Sequence, residues 1–178
     1  MKSALTTWQP AIIGTNTEDG VPFANWLPYS PTGNFSSELA QLNYLTLFLC
    51  PQTETTRARQ LAGLDTYIYL YAGNFSNISP KPWMGAYHNA ELPMLFGTHP
   101  NYRGESSRLE WATSHAMQDA WLAFAKEPEH GLKQQGWKIY GELGERSVRK
   151  FGDGRPAEDA SLEKMEALCD GNAPAVEA

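Results

Sequence analysis

Short apolar runs with strand character alternate with helical stretches along this chain, and only about three such runs occur in 178 residues. Residues 10–14 (PAIIG) form a continuous apolar run that ends in a turn cluster, as a buried parallel strand does. Residues 65–75 (DTYIYLYAGNF) are rich in aromatic and β-branched side chains and read as a central strand. Residues 137–140 and 147–151 read as a short strand or hairpin. Alternation of this kind implies an α/β fold with a largely parallel sheet. Three strands flanked by helices would leave a long apolar edge exposed, so such a sheet is expected to be incomplete.

The helices are placed by pattern and by their stops. Residues 39–49 are mostly apolar and predict a buried helix, with a second over 51–61 whose charges suit the helix dipole. Residues 105–127 give the clearest helical spacing, with Leu109, Ala112, Ala116, Met117, Ala120, Trp121 and Phe124 on one face and Pro128 as the stop. Residues 160–169 predict a last amphipathic helix. One unit over 1–170 and a frayed tail over 171–178 are expected, with no internal repeat or linker.

Charge and composition exclude several classes of function. Fourteen Lys and Arg against 20 Asp and Glu give a net charge of −6, which argues against a chain-wide grip on nucleic acid or anionic lipid. No apolar run approaches the ~20 residues that span a bilayer, and the first eight residues contain no signal-peptide h-region. His88, His99, His115 and His130 lie too far apart for zinc chelation, and a calcium loop at 16–20 would place Trp26 where a bidentate Glu is required. No metal and no cofactor are therefore expected. G-x-G-x-x-G and P-loop motifs are absent.

The informative pair is Asp19, in a loop after the first strand, and His88, in a loop after a later one. Loops at the C-terminal ends of parallel strands gather over one edge of the sheet, so the two can meet there. Asp then His is also the chain order of α/β-hydrolases, with the nucleophilic Ser before both. The alternative is that Asp19 caps a turn and His88 is a satisfied loop histidine.

The words around these residues carry a family resemblance. I-I-G-T-N-T-E-D-G at 12–20 resembles the acid loop of type B carboxylesterases, the cholinesterase and fungal lipase relatives among the α/β-hydrolases, usually written I-G-x-N-x-D-E-G. G-A-Y-H-N-A-E-L-P-M-L-F-G at 85–97 is similar to their histidine loop, G-x-x-H-x-x-E-L-P-x-x-F-G. The stretch from Ser114 to Ala125 resembles the helix that follows, and F-L-C-P at 48–51 their F-x-C-P motif. The resemblance spans about residues 9–170.

It implies the last strands and helices of a partial α/β-hydrolase fold, and the ester hydrolysis of that family through an acyl-enzyme. His88 would be the general base and Asp19 its orienting acid. Position, directly before Gly20, favours Asp19; residue type favours Glu18, because the family has Asp then Glu there. Glu91 would lie behind the histidine, or else be an exposed helix-start carboxylate. Trp83, Met84, Tyr87, Leu92 and Phe96 would line the acyl or alcohol pocket, or simply pack in the core.

No nucleophile is expected in this chain. G-x-S-x-G does not occur, and its nearest approach, G-E-S-S-R at 104–108, lies after His88, against the family order. The chain therefore reads as the C-terminal fragment of a serine carboxylesterase, inactive alone and acting on a small-molecule ester only when completed by an upstream part. A non-catalytic binding module that uses the open strand edge, or a partial gene product, are the alternatives. The family's cysteine pairing implies a Cys50–Cys169 disulfide, against two buried thiols. Sequons at Asn34, Asn74 and Asn77 and the disulfide lean toward a secreted parent protein.

Overall fold

The computed structural model describes residues 9–24 and 36–170. Its centre is a four-stranded sheet in the order β1 (Ala11–Asn16), β2 (Thr66–Tyr71), β3 (Ser147–Phe151), β4 (Ala157–Ser161). β1, β2 and β3 run parallel, with Asn16 opposite Tyr71 and Tyr71 opposite Phe151. β4 returns antiparallel to β3. The fold is α/β with a partial, mainly parallel sheet, as expected, but one strand longer.

β2 is buried on both faces because its neighbours cover both. Tyr67, Tyr69 and Tyr71 point to one side, and Ile68 and Leu70 to the other, as the two-residue period of a strand requires. The tyrosine side packs on α4 (Arg108–Lys126), where Tyr69 meets Trp121 edge-on at 5.1 Å, and Trp121, Trp137 and Phe151 form a continuous aromatic cluster. Gly14 is required opposite Tyr69: a Cβ there would overlap the phenol ring. The other side packs Ile68, Leu70 and Val148 against Tyr140 and Leu162.

Two sequence expectations need correction. Residues 137–140 are not a strand; Gly136 (φ +80°) and Gly141 (φ +79°) bracket the segment, and Tyr140 N–H donates to the Thr66 carbonyl. The hairpin partner of β3 is instead Ala157–Ser161, held by Arg149–Asp159 and Lys150–Glu158 pairs across the strands. That strand takes up the start of the expected last helix, of which α6 (Glu163–Glu166) and turns to Asp170 remain.

Between β1 and β2 the chain runs through α1 (Ser37–Asn43), a π-helical segment (Tyr44–Leu49) and α2 (Cys50–Leu61) without a break. Pro51 lacks the N–H that an α-helix would aim at the carbonyl four residues back, and the wider π turn before it accommodates that loss. α4 begins at a capping box: Ser107 Oγ accepts from Glu110 N–H, and the Glu110 carboxylate accepts from Ser107 N–H. α3 (Leu92–Leu95) packs on α4, and α5 (Gly131–Gln134) closes the turn beyond it. Cys50 and Cys169 are bonded, tying the start of α2 to the end of the described chain. Glu166, fully buried, reinforces that tie through Tyr140 Oη at 2.8 Å and Arg57 and Arg146 within 3.5 Å. Among the described residues no helix is long and apolar enough to cross a membrane.

Candidate functional site

Two loops meet over the C-terminal ends of β1 and β2. The first, residues 17–20, leaves β1 with Thr17 N–H on the Tyr71 carbonyl. The second descends from β2 through residues 72–91, and the two join in a parallel bridge between Glu18 and Tyr87. Gly20 permits the approach from behind. A Cβ on it would collide with the Ala40 carbonyl oxygen and lie 2.6 Å from Tyr44 N, so only glycine lets the acid loop seat against the helix behind it.

Asp19 is buried (4% exposed) and its two oxygens are separately engaged. Oδ2 accepts the Asn16 N–H at 2.7 Å, and Oδ1 lies 3.0 Å from His88 Nδ1. Burial pushes its pKa up to about 6, against the opposing pull of the Asn16 hydrogen bond and of His88. The carboxylate is thus ionised at pH 7 and able to hold the imidazole proton on Nδ1.

The His88 side chain is 35% exposed, and Nε2 has no hydrogen-bond partner among the described residues. Phe48 (4.8 Å between ring centres) and Phe23 (5.5 Å) flank the ring. The histidine is thus held at Nδ1 by a buried carboxylate and walled by two aromatic rings, with part of its side chain exposed.

Of the two acids weighed in the sequence, Asp19 is the one that reaches His88. Glu18 turns instead to the Ala86 N–H (2.8 Å) and the Thr17 hydroxyl. Glu91 is half-buried and accepts from the Asn16 side-chain amide, which also donates to the Tyr87 carbonyl at 2.9 Å. Asn16 therefore touches the acid, the histidine loop and Glu91 at once, a role its place in the motif did not announce. Phe23 and Phe48 were likewise not singled out as neighbours of His88. The expected pocket residues are less enclosed: Phe96 is 71% exposed and Leu92 40%.

The serines nearest in pattern to a nucleophile motif are engaged elsewhere. Ser106, from the nearest approach to the motif, lies 2.7 Å from the Nδ1 of the wholly buried His99, and Ser107 is spent on the α4 cap. His99 is also 3.4 Å from buried Glu110, and burial lowers its pKa. No three His, Cys, Asp or Glu side chains converge as a metal site among the described residues. Of the sequons, Asn34 lies outside the described residues and Asn74 is exposed. Asn77 differs from Asn74 in its surroundings. It is buried (3% exposed), with its amide donating to the His99 carbonyl and Ser106 Oγ.

Comparison with known proteins finds a lipase and several esterases similar to this chain. The model of the Carboxylesterase family matches residues 23–148. "Secreted lipase 5" of Gibberella zeae is 43% identical over 176 residues, which are 94% of this chain and 32% of that protein. "Chlorogenic acid esterase" of Aspergillus niger is 56% identical over 86 residues, 48% of this chain and 17% of that protein. The chain thus spans about a third or less of the curated relatives it matches. Among solved structures, a PNB esterase superposes with a TM-score of 0.68 at 20% identity, covering 92% of this chain and 38% of its own. A thermophilic PNB esterase gives 0.65 at 22%, with 91% and 38% covered. At such identities these two speak for the fold, that of part of an α/β-hydrolase. On the family match over residues 23–148, the chain belongs to the carboxylesterase family.

Proposed function

We propose that this chain carries the acid and base of a serine carboxylesterase, Asp19 and His88, and that the nucleophile and oxyanion donors come from polypeptide outside these 178 residues. The observation that carries this reading is the 3.0 Å contact between Asp19 Oδ1 and His88 Nδ1, which engages one imidazole nitrogen and leaves Nε2 as the other. His88 Nε2 takes the proton of the serine hydroxyl as its oxygen bonds to the ester carbonyl carbon. It returns that proton to the alkoxide as the carbon–oxygen bond breaks, and the alcohol leaves. Water then repeats the sequence on the acyl-enzyme and releases the acid. Asp19 holds the tautomer and stabilises the imidazolium; Glu91 and Asn16 hold the loops in place.

The substrate class is a small carboxylic ester. The names of the two fungal relatives, a lipase and an esterase, support an ester substrate; the word "secreted" in the first and the Cys50–Cys169 disulfide support an extracellular setting. No cofactor enters the chemistry. A non-catalytic module binding through the outer edge of β1 is the second reading, favoured by the position of β1 at the end of the sheet among the described residues.

Burst kinetics on the purified chain test the placement of the nucleophile. With p-nitrophenyl butyrate the expected result is neither burst nor turnover above the uncatalysed rate. A stoichiometric burst that disappears in His88→Ala would place the nucleophile within the chain and refute the proposal.

A further inference from the structure

Glu18 grips the histidine loop at two points of one residue. Its N–H donates to the Ala86 carbonyl at 3.1 Å, and its carboxylate accepts the Ala86 N–H at 2.8 Å. The Thr17 hydroxyl donates to the same carboxylate oxygen, which fixes the rotamer from its own side. The other side is shaped to fit: Gly85 sits at φ +54°, and a Cβ on it would lie 2.7 Å from the Glu18 carboxyl group. The Gly85 carbonyl is itself tied down by Ser79 Oγ at 2.6 Å. Ala86 is two residues before His88, and Glu18 immediately precedes Asp19. The clasp and the acid–imidazole contact are therefore adjacent rungs between the same two loops.

From this we infer that Glu18 is a positioning residue, setting the distance and angle at which Asp19 meets His88. The inference rests on reading His88 and Asp19 as base and acid. Side-chain length is what the clasp needs. One methylene fewer pulls the carboxylate back from the Ala86 N–H, whereas loss of charge with length kept leaves an oxygen to accept it. In the shortened variant the buried Ala86 amide loses its hydrogen bond, and residues 85–88 are released from the acid loop.

Nitrogen-15 NMR of the full chain with labelled histidine and backbone reads both rungs. Wild type is expected to hold the His88 proton on Nδ1, with a slowly exchanging Ala86 amide. Glu18→Asp is expected to shift His88 toward the Nε2–H tautomer and to speed Ala86 exchange by about tenfold or more. Glu18→Gln is expected to leave both as in wild type. Wild-type tautomer in Glu18→Asp, with or without faster Ala86 exchange, overturns the positioning role, and so does tautomer loss in a folded Glu18→Gln. A wild-type chain with the His88 proton on Nε2 would instead refute the acid–base reading on which this inference rests.

Discussion

Replacing Gly20 by alanine probes the seat of the acid loop, because two opposing effects of different size act there. Its φ and ψ, −77° and −17°, are ordinary right-handed values, so alanine suffers no backbone strain and restricts the unfolded chain. That alone would stabilise the fold by about 0.4–1 kcal/mol. Against it, the new Cβ meets two backbone atoms of the helix behind it, the Ala40 carbonyl oxygen and Tyr44 N, and neither can swing away as a side-chain tip would. Overpacking of this kind costs about 1–3 kcal/mol and occasionally more. The steric term wins, and Gly20→Ala is expected to lower stability by about 1 kcal/mol or more, read as a fall in urea midpoint at unchanged slope. Gly136→Ala is the control: its φ of +80° strains any side chain, but no atom lies within 4 Å. It should cost about 1–2 kcal/mol from strain alone and leave the His88 resonances unmoved, whereas Gly20→Ala should shift them. A Gly20→Ala chain as stable as wild type would refute the claim that the acid loop is seated by direct backbone contact.

Two further predictions concern the same frame. The Cys50–Cys169 bridge closes 119 residues; its removal as Cys50→Ala/Cys169→Ala should cost up to about 5 kcal/mol on the chain-entropy model, seen as a large drop in Tm. Asp19 has a folded pKa near 6, above its ordinary 3.8. Its contribution is therefore fully present below pH 3.8 and is lost as pH rises through 6. The change is roughly 3 kcal/mol at about 1.4 kcal/mol per pKa unit, and Asp19→Asn should flatten that part of the stability–pH curve in urea titrations.

Much of the frame was legible because its signals are local. β1 and β2 announce themselves as apolar runs, and α4 by its spacing and the Pro128 stop. β4 was not legible: Ala157–Ser161 (AEDAS) has no β-branched or aromatic residue and is held by ion pairs to β3 that only the register creates. Conversely, the aromatic stretch at 137–140 looks like a strand, yet it owes its burial to packing of Trp137 against Tyr67 and Phe151. At the site, the motif named Asp19 and His88, and chain order suggested that they meet. The cross-loop contacts of Asn16 and Glu18, and the shielding of Asn77, arise from residues far apart in sequence, where no periodicity speaks.

The most direct test of the central claim is a chimera in which this chain replaces the matching stretch of the Gibberella zeae lipase, assayed with p-nitrophenyl butyrate. The account predicts hydrolysis that falls by about 10³-fold or more in kcat in His88→Ala and by a comparable factor in Asp19→Ala. A chimera whose activity survives either substitution would contradict the assignment of His88 and Asp19 as base and acid.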